Sequence, residues 1–347
     1  MKLRFERGRR GTLKALHPAC FAMVMATGIV ALSAHLHGMP DVAAVLFWLN
    51  ALFLAGLVAA TVARALLHPR EMAADLRSHG RGVGFFTMVA AAAVFGAELD
   101  LQRGEVRLAA VFWAIAGFLS LFMTYGLLAA LMAKAEKPRL ADGLNGGWLV
   151  IVVAPQSVAI LTVSIGANGV FAGLEQPLMF LALTLWLSGG ALYLWLMALI
   201  FYRYAFVPMA PHDFAPPDWI NMGAVAISAL AGAALVRHAD LSPVIVDIAP
   251  FAKGITLFFW AIATWWIPML VVLGSWRYVL SGLPIGYGTL DWGGVFPLGM
   301  YSVSTLALTE ILQAPFLAHV SMAFAVVALV AWLLTFLGLL ASRPGPR

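Results

Sequence analysis

Apolar residues run along this chain in long blocks, not in the alternating pattern of strands or the heptads of coiled coils. Ten blocks, most of about 20 residues, lie at 17–37, 43–67, 82–98, 106–133, 147–166, 177–204, 219–236, 249–278, 292–311 and 316–341, separated by short polar connections. In helical form, about 20 apolar residues cross a hydrocarbon core of about 30 Å. Inside hydrocarbon every backbone amide needs a partner within its own segment, which selects helices over isolated strands. The pattern predicts an all-α integral membrane protein with ten transmembrane helices.

Composition strengthens that reading. The 347 residues are 63% hydrophobic and 11% charged, whereas soluble domains carry roughly 25% charged residues. A globule in water is excluded. The net charge of +5 is unevenly placed. Lys2, Arg4, Arg7, Arg9, Arg10, Lys14, Arg64, Arg70, Arg77, Arg81, Lys134, Lys137, Arg139, Arg203, Arg277, Arg343 and Arg347 fall on one side of the ten-span arrangement. Only Arg103, Arg107, Arg237 and Lys253 fall on the other. The positive-inside rule places both termini in the cytoplasm and the protein in the inner membrane. This accounts for the basic balance without nucleic acid. The expected organisation is a basic N-terminus (1–16), one transmembrane domain (17–341) and a short cytoplasmic tail (342–347). No cleaved signal peptide is expected, and the single cysteine, Cys20, excludes an internal disulfide.

Tryptophan reveals a repeat. Trp48, Trp113, Trp186, Trp260 and Trp332 place one indole in each even-numbered helix, and Trp148, Trp219 and Trp292 open helices 5, 7 and 9. A fixed period implies a repeated unit, here a helical hairpin used five times. Tryptophan also favours membrane interfaces for its own reasons. Even helices such as "VAAVLFWLNALFLAGLVAATVARALL" are long and rich in Leu, Phe and Trp, as lipid-facing helices are. Odd helices such as "INMGAVAISALAGAAL" are shorter and rich in small residues that let backbones approach. The odd helices are therefore expected inside and the even ones outside. Composition fits an inner ring with a channel and a closed bundle equally well.

The chain carries few recognisable chemical motifs. There is no nucleophile elbow, no HExxH pair and no facing carboxylates, so no enzyme, metal or cofactor is expected. The histidines and nearly all charges fall at span ends. Glu310, which closes helix 9, is the most membrane-proximal acid: either a proton or substrate site, or a carboxylate reaching the outer surface. The spans supply no evident buried relay, which favours passive conduction over a proton-driven pump. One feature stands apart: "WGGVFPLGMYSVST" carries Pro297 beside the bulky Phe296, and proline removes a backbone donor.

That string, with "FAMVMATGIV" in helix 1, "GFFTMVA" in helix 3 and "DWINMGAVAISALAGA" in helix 7, resembles the tellurite-resistance and dicarboxylate transporter family. The family includes plant slow anion channels, fungal malate permeases and sulfite exporters. The resemblance implies five hairpins around a quasi-fivefold axis, odd helices inner and even helices outer, with a pore in each protomer of a homotrimer. It implies that Phe296, followed by Pro297, plugs that pore, and that a break at Pro297 aims the ring and frees N–H groups for anions; the residues alone also fit a first-turn proline of an ordinary helix with Phe296 packed against a neighbour. Thr27, Gly28, Thr87, Pro155, Gln156, Ser228 and Ser302 are the pore-lining candidates on the inner helices. The implied function is anion transport, with small inorganic anions or dicarboxylates and lipid as partners. The alternatives are a proton-coupled carrier for four-carbon dicarboxylates such as malate, a sulfite or tellurite-related exporter and, from another class, a membrane enzyme or sensor.

Overall fold

The computed structural model describes residues 13–284 and 286–342. The basic residues Lys2 to Arg10, and Arg343 and Arg347, lie outside the described residues. Ten long helices follow one another: α1 (Ala22–Leu36), α2 (Pro40–Leu67), α3 (Phe86–Arg103), α4 (Val106–Met132), α5 (Val150–Ala167), α6 (Glu175–Phe206), α7 (Ile220–Arg237), α8 (Pro243–Ser275), α9 (Trp292–Ile311) and α10 (Leu317–Ala341). Among the described residues, nine are long and apolar enough to span a membrane, and α9 is the exception. Its 20 residues include Ser302, Ser304, Thr305, Thr309 and Glu310. A helix surrounded by protein does not need the uniform apolarity that lipid demands.

Burial divides the helices by parity. Between 78 and 89% of the apolar stretches of α1, α3, α5 and α7 is buried, against 17 to 39% for the even helices. Most of α9 is buried too. Each odd helix packs against the next: α1 on α3, α3 on α5, α5 on α7, α7 on α9, and α9 back on α1. The cycle therefore closes. Each even helix packs on its own hairpin partner and on the odd helix of the following hairpin. Small residues make these approaches possible. A Cβ on Gly232 of α7 would lie 2.2 Å from Thr256 Oγ1 of α8 and 2.8 Å from the Trp186 ring of α6.

Every inner helix is led in by a short 3₁₀ turn: Pro18–Phe21, Gly82–Phe85, Gly146–Leu149, Pro216–Trp219 and Thr289–Asp291. Each lead-in carries or adjoins an aromatic residue. The Trp148, Trp219 and Trp292 series is completed in the first two hairpins by Phe21 and Phe85, which no search on tryptophan detects. Asp218 ties two of these turns together. Its Oδ1 accepts from Gly146 N (3.0 Å) and Tyr204 OH (2.8 Å), and its Oδ2 from Ala215 N (2.6 Å).

The even-helix tryptophans have a shared task in four hairpins. Trp113 Nε1 donates to Thr162 Oγ1 (2.8 Å), Trp186 Nε1 to Ser228 O (2.8 Å), Trp260 Nε1 to Thr305 Oγ1 (2.9 Å) and Trp332 Nε1 to Thr27 Oγ1 (2.9 Å). Each bond runs from an outer helix to the inner helix of the next hairpin, and the last closes the chain's end on its beginning. Trp48 departs from the series: it is 62% exposed. In its seam Asn50, two residues on, meets Glu98 Oε2 at 2.5 Å instead.

Replacing Trp332 by phenylalanine should cost about 1 kcal/mol for the lost bond. Thermal melts of single and double variants with Thr27→Val check it: the double variant should be little worse than either single one.

Candidate functional site: the inner-helix axis

Pro297 is the sixth residue of α9, and the helix runs unbroken through it. The expected break is therefore corrected. What proline removes is its own N–H, so the carbonyl one turn back, at Gly293, loses its helical donor. No run of free N–H groups is created at this depth. The pyrrolidine is seated instead: a Cβ on Gly223 of α7 would lie 2.8 Å from Pro297 Cγ and 3.1 Å from its Cα.

Helical geometry fixes where Phe296 points. Residues advance by about 100° around an α-helix. Thr305, bonded to outer Trp260, lies nine residues from Phe296 and so on the opposite side of α9. Pro297 abuts α7 on one flank, and Gly299 abuts Ile29 of α1 on the other, where a Cβ would come within 3.0 Å. Phe296 occupies the arc between these two ring contacts, away from the outer helices. Its side chain is fully buried.

Position along the helix adds a second observation. Phe296 is the fifth residue of α9. The fifth residues of α1, α3, α5 and α7 are Ala26, Ala90, Ala154 and Ala224, all fully buried. Odd helices of an alternating membrane chain run in one direction, so equal counts from their starts mean similar depth. One phenyl ring stands at the level of four methyl groups. The parallel direction also aligns five helix dipoles with their positive ends on one face of the membrane, where they favour anions.

The other candidates sit in joints. Thr27 Oγ1 accepts from Trp332 of outer α10. Gln156 Nε2 donates to Trp186 O (3.0 Å) of outer α6, and Ser228 lends its carbonyl to the same tryptophan's indole. Ser302 Oγ donates to Ser321 O of α10, and Ser321 Oγ to Ser302 O, each at 2.8 Å. Thr87 Oγ1 donates to Gly84 O (2.7 Å) and lies 3.3 Å from Pro18 O, tying two lead-in turns. Thr27, Gln156 Nε2, the Ser228 carbonyl and Ser302 thus join helix to helix, whereas the Ser228 hydroxyl donates to Ala224 O (2.8 Å) in its own helix and Gln156 Oε1 is buried without a partner. Pro155, like Pro297, is the sixth residue of its helix. Gly28 fills a place with no room for a side chain: a Cβ would lie 2.8 Å from Asn50 Nδ2 and 2.9 Å from Glu98 Oε2. Glu310 pairs with Arg237, and both are about half exposed.

Two groups escaped the sequence reading. His37 Nε2 lies 2.8 Å from Ser321 Oγ, extending the Ser33–Ser302–Ser321 contact of α1, α9 and α10. The second group corrects the expectation that the spans hold no ionisable group. Helix α3 continues past Glu98 to Arg103, which turns a residue read as a helix end into an interior one, fully buried. A cleft of about 520 Å³ opens near the start of α9, lined by Trp219, Arg277, Tyr287, Val295, Leu298 and Leu334 among others. Leu298 is two residues from Phe296, about 200° around the helix, so the cleft lies behind α9 and off the axis.

Adding the missing methyl in Gly223→Ala should displace Pro297 and cost about 1–3 kcal/mol by overpacking. A melt of the purified variant, with anion flux measured alongside, checks whether both change together.

Comparison with known proteins places this architecture. An uncharacterised transporter of Methanocaldococcus jannaschii is 25% identical over 334 residues, 94% of each chain. An uncharacterised membrane protein of Mycobacterium tuberculosis is 36% identical over 149 residues, 43% of this chain and 75% of that protein. The sulfite efflux pump SSU1 of Trichophyton rubrum is 24% identical over 347 residues, 92% of this chain and 88% of the pump. The family model described as SLAC1, voltage-dependent anion channel, matches residues 15–340. With nearly the whole ten-helix domain inside that match, the chain belongs to the SLAC1 family of membrane anion channels and transporters.

Proposed function

We propose that the protein passes small anions along the axis of its five inner helices and that Phe296 closes this path, with Pro297 setting the ring's position. The observation that carries the reading is one buried phenyl ring at the level of Ala26, Ala90, Ala154 and Ala224. An apolar constriction of this kind excludes water and ions together until the ring moves. No fixed cation is required on the path. Aligned helix dipoles attract anions without holding them, and weak binding is what conduction needs.

The proposal includes an inner-membrane location with both termini cytoplasmic, on the distribution of basic residues, and a homotrimer, on the family resemblance. It retains the domain limits of 17–341 for the transmembrane unit and keeps Pro155 as a candidate beside the path, while Gly28 faces the seam with Asn50 and Glu98. A second reading is export of sulfite, favoured by the similarity to a sulfite efflux pump. The test is flux through purified protein in liposomes, comparing chloride, nitrate, sulfite and malate. Flux graded by size and dehydration supports a channel. Saturable uptake of sulfite or malate alone supports a carrier. Flux no greater than in protein-free liposomes, in the wild type and in Phe296→Ala, overturns both.

A further inference from the structure

We propose that Glu98 and Asn50 form a proton-operated latch in the seam between the first two hairpins, closed while Glu98 carries a proton and loosened when the proton leaves. Four of the five seams between outer helices and following inner helices are tied by a neutral indole donor, as described above. Among the described residues, the α2–α3 seam alone has no indole tie and rests on a carboxyl group, while in the α10–α1 seam His37 meets Ser321 beside the indole tie. Both side chains are fully buried, and Asn50 is the one hydrogen-bond partner of Glu98 among the described residues.

The count of donors and acceptors decides the protonation state. With Glu98 ionised, the seam contains three acceptor oxygens, Glu98 Oε1, Glu98 Oε2 and Asn50 Oδ1, served by a single amide. Glu98 Oε1 and Asn50 Oδ1 are both buried without a partner. A bare carboxylate in that setting carries the full desolvation penalty of a charge. A proton on Glu98 removes the charge and converts one acceptor into a donor. A half-turn of the Asn50 amide, whose O and N are interchangeable in shape, lets Glu98 O–H donate to Asn50 Oδ1.

No neighbouring charge takes the proton's place. On α3 itself, Asp100 is engaged by Ser164 and Asn168, and Arg103 stands over the Phe47 and Trp48 rings, 5.6 Å from each centroid. From α1 come His35 and His37, the latter bonded to Ser33 O and Ser321. Asp41 begins α2, Glu105 and Arg107 begin α4, and α5 contributes no charged residue. None is bonded to Glu98. Arg64, on the far part of α2, is fourteen residues from Asn50, about 21 Å along the helix.

Loss of the proton breaks the Glu98 O–H bond, sends H⁺ to water and leaves a carboxylate that must recruit donors. Water entering the seam is the available source. Gly28 of α1 lies against both side chains, and Thr27 beside it is tied to Trp332, so a hydrated seam disturbs the place where the ring closes. Raising the pH therefore loosens the first two hairpins and increases flux. Only this last step rests on the transport reading.

Infrared spectra of reconstituted protein and hydrogen exchange test the latch directly. At neutral pH the wild type should show a protonated-carboxyl band that bleaches as the pH is raised and is missing in Glu98→Gln. Amides of the α2–α3 seam should then exchange faster than those of the four indole-tied seams, and flux should rise several-fold. Glu98→Gln should stay at the acid-side level throughout. A wild type without that band at neutral pH, or with a band unaffected by Glu98→Gln, overturns the proposal. So does equal seam exchange in both proteins at alkaline pH. If Glu98→Gln does not fold, the wild-type titration decides by comparing its five seams. Bleaching and loosening in a protein that passes no anion would defeat the transport reading and leave the latch standing.

Discussion

Replacing Phe296 by alanine is expected to raise anion flux by at least about tenfold, the equivalent of removing ~1.4 kcal/mol from the barrier. The fifth position of every inner helix would then carry alanine, at Ala26, Ala90, Ala154, Ala224 and the altered site. The phenyl ring is fully buried, so its removal leaves either a cavity or an opening along the axis. A cavity alone would cost about 3–5 kcal/mol of stability. The two outcomes separate cleanly. An opening raises flux with a modest change in melting temperature, whereas a sealed cavity lowers the melting temperature and leaves flux unchanged. Phe296→Leu should fall between wild type and alanine if ring size sets the barrier. Unchanged flux in a normally folded Phe296→Ala would end the gate reading.

Asp75→Asn is expected to cost about 3–5 kcal/mol, because it leaves a buried guanidinium without its counter-charge. Asp75 sits near the end of the short helix Pro69–Leu76, between α2 and α3. Its Oδ2 accepts from Arg64 Nη2 at 2.7 Å and its Oδ1 from Arg81 Nε at 2.6 Å. The Arg64 side chain is only 4% exposed. Burial alone would raise the Asp75 carboxyl, but bonds from Arg81 and Arg64 outweigh it and hold the group below the usual carboxylate range. A carboxyl depressed in the folded state binds its proton more readily when unfolded. Its contribution is therefore present above the ordinary value of 3.8 and is lost as pH falls through the lower folded value. Melts across acid pH should show that loss in the wild type and not in Asp75→Asn. Adding Arg64→Met to Asp75→Asn should recover much of the stability, since the orphaned charge goes with it.

The membrane character, the hairpin repeat and the division into inner and outer helices were legible because the bilayer imposes length and apolarity on each segment separately. Lipid-facing α2 and α10 must be rich in large apolar residues, and ring-forming α1 and α7 must be small enough to meet. Such constraints act locally and leave marks in composition. The aromatic beside a proline was legible as an oddity, but its direction was not. That required knowing that Thr305 bonds outward to Trp260 while Pro297 and Gly299 meet α7 and α1.

Polar residues were the poorest guide. A threonine or serine within an apolar span looks the same whether it faces a path or a neighbouring indole. Thr27 and Ser302 bond across more than half the chain or to the adjacent outer helix, and only the closed ring determines which partner each finds. Glu98 is the sharpest case. From the sequence it stands at the end of an apolar block, where a carboxylate meets water. In the fold, α3 continues beyond it, Asn50 meets it from another hairpin, and Gly28 leaves it room. By itself, then, the sequence determined the long apolar helices of a membrane protein and their division into small-residue and large-residue kinds, since hydrocarbon tests every helix alone. The tertiary structure alone decided which polar groups are ties between helices and towards which side of α9 the Phe296 ring points, because those relations exist only once five separate hairpins have closed on one another.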